Sequence, residues 1–282
     1  MIPIIAIIVF LGLLIGSITD FKKREVPDFV NYSLITLGFT INILLSLIYK
    51  TPSYIINSAA GFVAFLIIAL IMFYSGQWGG GDSKMLMGLG ALIGLDITFK
   101  NLFLLDLFFN ILVIGGVYGI LWSFYLAIKN RKLFVKAYLK IFKNKFFLFA
   151  NKILIIILLI SFLSFFIVED IFLKFLMIGF LAFILLVLNL IIFIKAIEKS
   201  CMFKLVNPDQ LTEGDWIAKD INYKGKRITG PKDLGIEKKQ INFLKKFYKK
   251  KILIKEGIPF VPSFFVAFVL TLSYGNLLLL LL

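Results

Sequence analysis

The chain has 282 residues, 60% of them apolar and only 17% charged, with a net charge of +15. Apolar residues in blocks of this density exclude an ordinary soluble domain. The absence of histidine and the single cysteine, Cys201, exclude Ser–His and Cys–His nucleophile pairs, His-Glu-x-x-His and four-cysteine zinc sites, and an internal disulfide. Crossing the hydrocarbon core as a helix takes about 20 apolar residues. The apolar blocks predict eight spans: Ile2–Thr19, Phe29–Tyr49, Tyr54–Ser75, Met85–Phe99, Leu102–Ile128, Phe146–Val168, Ile171–Ile194 and Ile258–Leu282. The first lacks a basic n-region and is followed by charges rather than small residues, so it reads as a retained helix and not a signal peptide. The fourth is short, and the sixth and seventh have a re-entrant hairpin as their alternative, which sets the range at six to eight.

Basic residues collect in alternate loops. Lys22, Lys23 and Arg24, then Lys84, the Lys129–Lys152 stretch and the Lys195–Lys255 stretch hold 28 of the 31; Lys50, Lys100 and Lys174 are the rest. The positive-inside bias then puts the N-terminus outside and both the first and third loops in the cytoplasm. Anionic lipid beside these faces accounts for the net charge without nucleic acid. Cys201 reads as a residue packed at the membrane surface.

The fold class expected is an all-α polytopic membrane protein of about eight transmembrane helices, with a small cytoplasmic α+β domain before the last helix. Its parts are a membrane-embedded core, 1–128; a basic loop and extra hydrophobic segment, 129–170; a transmembrane helix, 171–197; the cytoplasmic domain, 198–257; and the C-terminal helix, 258–282. In the small domain, Ile221–Ile228 reads as a hairpin around Lys224-Gly225. Ile236–Ile252 reads as a basic amphipathic helix with Ile241, Leu244, Phe247, Tyr248 and Ile252 on one side, to lie on the membrane or to pack within the domain.

Two acids fall at span ends on the same side: Asp20, in Thr19-Asp20-Phe21-Lys22-Lys23-Arg24-Glu25-Val26-Pro27, and Asp82, in Gly79-Gly80-Gly81-Asp82-Ser83-Lys84. Alone, Asp82 reads as a helix N-cap and Asp20 as a charge that ends a span. Gly12 and Gly16 lie in line with Asp20, and Gly90 and Gly94 with Asp82. Glycines four apart let helices approach closely in lipid, so packing of the first and fourth helices along these ridges would join the carboxylates. Such a pair shares one proton: the ionised member takes a proton from water, and the protonated member donates to a scissile carbonyl. The pair titrates as a unit, which leaves the two roles open between Asp20 and Asp82. Gly79, Gly80 and Gly81 would form a mobile loop that admits substrate backbone. Lys84 is expected to stabilise the ionised pair or to meet lipid headgroups.

The Gly-Gly-Gly-Asp run at 79–82 resembles the Gly-x-Gly-Asp motif of intramembrane aspartyl proteases, and Ser83-Lys84 narrows the resemblance to the type IV prepilin peptidase-like branch. Asp20 with Lys22, Lys23 and Val26-Pro27 resembles that branch's first catalytic loop. Leu211–Trp216 and Lys255–Pro262 resemble the C-terminal region of archaeal preflagellin peptidases. The resemblance implies an aspartic endopeptidase without metal or cofactor, with Asp20 and Asp82 catalytic. It further implies cleavage of class III signal peptides from archaellin or pilin precursors after a short basic leader. Glu25 and Asp28 are the acids placed to receive that leader, and Pro259 and Pro262 shape the start of the last helix. The chain departs from the family in the extra 129–168 stretch, in lacking the Tyr-Asp and Pro-Ala-Leu motifs, and in lacking the cysteine-rich zinc region of bacterial relatives. Two other readings are an ion-coupled transporter that uses Asp20 and Asp82 as ion or proton sites, and a Ser–Lys peptidase that uses Ser83 or Ser17 with Lys84. Asp106 and Asn110 form a further polar pair in the fifth span.

Overall fold

The computed structural model describes residues 2–98, 100–164 and 170–279. In chain order the helices are α1 (Pro3–Lys23), α2 (Asp28–Ile48), α3 (Ser53–Tyr74), α4 (Gly80–Ile93), α5 (Phe103–Lys129), α6 (Arg131–Phe142), α7 (Lys145–Ser164) and α8 (Ile171–Cys201). Strands β1 (Phe203–Val206), β2 (Trp216–Ile217), β3 (Ile221–Tyr223) and β4 (Lys226–Thr229) follow, then α9 (Lys238–Phe247), β5 (Ile252–Lys255) and α10 (Val261–Tyr274).

Among the described residues, α1, α2, α3, α5 and α8 are long and apolar enough to cross a membrane. The expectation of eight full spans is therefore met only in part. α4 and α10 have 14 residues each, about 21 Å of helix against a core of about 30 Å. Glycine sets both ends: Gly94 (φ +74°) stops α4 and Gly275 (φ +70°) stops α10, in backbone conformations that side chains with a Cβ resist. The predicted fourth, sixth and eighth spans run on to Phe99, Val168 and Leu282, which lie outside the described residues. The expected basic loop Lys129–Lys152 is not a loop. It forms α6, whose basic residues ride on a helix, and the start of α7.

The chain divides into two compact units, Met1–Leu121 with Leu205–Leu282, and Trp122–Lys204. In the second, α8 packs against α6 and α7. Ile192, Ala196 and Ile197 are its buried face, Phe134 meets Phe193 edge-on at 5.4 Å between ring centres, and Asn189 donates to Asn151 at 3.5 Å. Cys201 is half-buried there, with its thiol turned to the Leu126 carbonyl at 3.7 Å.

In the first unit, α4 is the central element. Met85, Leu86, Leu89 and Leu92 are fully buried, and α2 and α3 flank it. Helix contact is close enough that glycine is required. A Cβ on Gly90 would lie 2.8 Å from the Gly61 carbonyl carbon, and one on Gly38 would lie 2.7 Å from the Ala91 carbonyl carbon. Buried polar side chains tie the same seams: Asn42 donates to Gly38, Ala91 and Leu92 carbonyls, and Ser58 donates to Ala91. The expected polar pair Asp106–Asn110 is a fastener for the end of α10. Asn110 donates to Thr271 and to the Gly275 carbonyl and accepts from the Leu277 amide, while Asp106 accepts from Asn276.

The small α+β part holds a three-stranded sheet, order β1-β5-β2, and the β3–β4 hairpin. The hairpin expected around Lys224-Gly225 is present, with both turn residues at positive φ (47° and 80°), as a tight two-residue turn requires. The expected helix Ile236–Ile252 is shortened to Lys238–Phe247. Ile252 belongs instead to β5, whose alternating burial pairs it antiparallel with β2. A run of lysines, Lys249–Lys251, separates the two; strand pairing outcompetes helix propensity beyond it. Ile241 and Leu244 face the core formed by Val206, Leu211, Ile217 and Ile252, so packing within the domain is the face that α9 uses.

Candidate active site

Both aspartates lie on helices, not in loops as expected. α1 continues past Asp20 for nearly one turn to Lys23 and is closed by Arg24 in the left-handed region (φ 59°), whose amide donates to the Asp20 carbonyl. Asp20 is 6% exposed. Its Oδ2 accepts from the amide of Val261, the first residue of α10, at 3.0 Å. Asp82 is the third residue of α4, where its carboxylate turns back to accept from the Gly79 amide at 3.0 Å. Taken alone, then, it caps its helix, though from N3 rather than from the N-cap position. Gly80 and Gly81 are the first turn of α4, not a mobile loop.

The helix ends that carry the two acids are packed against one another. The packing that does this is only half that expected. Gly16 of α1 does face α4, with a Cβ there 2.5 Å from the Met85 methyl, and it also faces Val261. Gly12, however, accommodates Leu34 of α2, while Gly90 and Gly94 accommodate α3 at Gly61 and Asn57. Two further contacts set the first turn of α4 beside the end of α1. A Cβ on Gly81 would press on Val26 at 3.3 Å, and Asn31, fully buried, donates to the Gly81 carbonyl at 3.4 Å. Pro27, extended, starts α2 directly after Val26.

The late segments converge on the same place. Trp216 pairs with Lys255 across β2 and β5, and its ring covers Gly76 (φ +70°), where a Cβ would lie 2.9 Å away. Trp78 meets Phe260 at a tilt and Phe264 edge-on, with ring centres 5.8 and 5.4 Å apart, and Pro262 occupies the first turn of α10. Arg24 approaches Glu256 at 3.9 Å. Tyr118 of α5 also feels the charges of Asp20 and Arg24; nothing in the spacing of α5 marked it. The amide of Val261 was equally hidden, apart from the flanking prolines.

Lys84 has a partner that was not expected. It pairs with Asp28 at 2.5 Å and sits over the Tyr32 ring. Glu25 remains solvent-accessible, and its carboxyl is held above the usual range by partial burial and then by the neighbouring charges of Asp215, Asp28 and Glu213. Ser83 donates to the Ala69 carbonyl at 3.4 Å and Ser17 to Leu13 at 2.6 Å, so neither of these two serines is turned to Lys84. Among the described residues no cluster of three metal-ligating side chains occurs.

Each carboxylate accepts from a backbone amide at a helix start, Asp20 from Val261 and Asp82 from Gly79. Residues 7–123 match the Type IV leader peptidase family. The matched segment contains both aspartates and the glycine run. The chain is 46% identical over 83 residues to the preflagellin peptidase of Methanocaldococcus jannaschii, covering 29% of this chain and 35% of that one. The preflagellin peptidases of Methanococcus maripaludis and Methanococcus voltae are 46% and 42% identical over the same length, covering 36% and 35% of their chains. The aligned part of this chain thus spans about a third of the length of these curated relatives.

Proposed function

We propose that this protein is a membrane aspartic endopeptidase that removes class III signal peptides from preflagellin or related pilin-like precursors, with Asp20 and Asp82 as its catalytic pair. The observation that carries the reading is the packing of Gly16 and Val26 on Met85 and Gly81 of α4, which sets the helix ends bearing Asp20 and Asp82 side by side inside the segment that matches the leader peptidases. In a low-dielectric site such a pair holds one proton, so that one member activates water and the other polarises the scissile carbonyl. The positive-inside bias supports a cytoplasmic active site, an outside N-terminus and basic faces against anionic lipid. Glu25 is the acid we assign to the basic leader, because Asp28 is taken up by Lys84.

The transporter reading is not supported: it calls for helices broken near mid-membrane, whereas Asp20 and Asp82 stand in the last and first turns of continuous helices. Replacing Asp20 or Asp82 by asparagine, singly, is expected to abolish precursor cleavage while expression persists, and Ser83→Ala to keep it. Full cleavage by either asparagine variant would sink the proposal.

A further inference from the structure

The start of α4, which carries Asp82, has little of its own to hold it. Gly79, Gly80 and Gly81 have no side chains to pack, and glycine favours helix less than any residue but proline. The turn before it is tightly closed. Gly76 lies in the left-handed region that ends α3; its amide bonds the Phe73 carbonyl at 2.9 Å, and the Gln77 amide bonds the Met72 carbonyl at 3.0 Å, the paired bonds of a Schellman cap. The same turn leads to Gly79, whose amide donates to Asp82. Two rings hold it. Trp78 is buried against Phe260 and Phe264, and Trp216 of the small domain lies on Gly76, where a Cβ would meet Cη2 of the indole at 2.9 Å.

The small domain is built to aim Trp216. Leu211 is anchored in its core, and a tight turn follows: the Thr212 amide donates to the Asp215 carboxylate at 2.8 Å, and the Asp215 amide to the Thr212 carbonyl at 3.2 Å. Ile236 brackets the turn, accepting from the Gly214 amide and donating to the Asp215 carbonyl. Ile217 is buried in the same core, so Trp216, its neighbour on β2, points to the opposite face of the strand. Pairing with Lys255 of β5 fixes its register, and the Lys255 ammonium lies 5.8 Å from its ring centre. β5 in turn leads on to Val261, whose amide holds Asp20. One strand pair thus touches the supports of both acids. We infer that Trp216 is a positioning residue of the active site: the Leu211–Trp216 turn sets its indole on Gly76 and so fixes the start of α4, and with it Asp82, relative to Asp20. The inference rests on the aspartic-peptidase reading above. Trp216 lies outside the 7–123 segment, so the site is incomplete without the far end of the chain.

Phenylalanine at 216 keeps an aromatic strand residue beside Lys255 but lacks the ring carbons that reach Gly76. In the full-length enzyme with a precursor substrate, Trp216→Phe should lower kcat about 10- to 100-fold, with KM and the temperature of thermal inactivation little changed. An unchanged kcat overturns the inference. So does a fall in kcat matched by a fall in inactivation temperature, which would mark the ring as packing alone. Gly76→Ala approaches the contact from the other side. Its methyl presses on the indole, so it should lower kcat in the wild-type background and cost little further in Trp216→Phe, a departure from additivity of at least about 5-fold. The strain of alanine at positive φ is the same in both backgrounds and cancels. Independent effects at the two positions overturn the inference. Asp82→Asn is the control. Normal cleavage by it overturns the aspartic-peptidase reading itself, whereas an inactive Asp82→Asn beside a fully active Trp216→Phe removes Trp216 alone.

Discussion

Gly90→Ala tests the packing that places Asp82. The added methyl would sit 2.8 Å from the Gly61 carbonyl carbon and 3.0 Å from the Phe65 Cβ. Ordinary carbon–carbon contact is about 3.5–4.0 Å, so α3 and α4 must part by about 0.7 Å or more. Backbone opposes the methyl, not the end of a flexible side chain, and cannot swing aside. Alanine also favours a helix over glycine by about 1 kcal/mol, which would mask part of the loss. Gly119→Ala supplies the reference, since a Cβ there meets nothing within 4 Å and carries the same propensity gain. The difference between the two variants should then be about 1–3 kcal/mol, the usual cost of overpacking. Asp82 stands eight residues up the same helix, about 12 Å away, so a shift of α4 also misaligns the carboxylates and should lower kcat. Thermal inactivation of the purified proteins, followed by precursor cleavage, measures both. Equal stability and equal cleavage in Gly90→Ala and Gly119→Ala would refute the close α3–α4 contact.

Two other perturbations probe separate parts of the molecule. Asn110→Leu leaves Thr271, the Gly275 carbonyl and the Leu277 amide without their buried partner, at a cost of about 1–3 kcal/mol for each group that finds no replacement. It should lower the inactivation temperature and open residues 275–279 to protease, while the folded fraction still cleaves, because Val261 is at the opposite end of α10. Proteolysis unchanged from the wild type would count against the fastener. Glu25→Gln removes a carboxylate whose folded-state titration lies above its ordinary value. A raised carboxyl contributes stability below that titration and loses it as pH rises through it. The variant should thus gain stability over the wild type at neutral pH, and the gain should fade in acid below the Glu25 titration. It should also raise KM for a precursor with a basic leader. A stability difference that grows toward acid would show that the sign is wrong.

The sequence by itself determined the class of chemistry and where to look for it. Missing histidine removed the common nucleophile pairs, and the Gly79–Asp82 run with Asp20 marked the two acids before any geometry was known. Hydropathy found the long helices, and Lys224-Gly225 found its turn, because these depend on local preferences: apolar length for a span, positive φ for a tight hairpin. The Ile252 register was misread because a short apolar alternation after a lysine run fits either a helix face or a strand, and pairing with β2 decided between them. The glycine ridges were legible as close contacts, but not which helix each one meets, since a Cβ-free surface says nothing about its partner. Lys84 could be seen near Asp82 in sequence, yet residues two apart on a helix point to different sides, and Asp28 claimed it. What only the tertiary structure decided is how the carboxylates are held. The donor to Asp20 is a backbone amide 241 residues away, and every residue but proline carries an amide, so no pattern of side chains could have announced it.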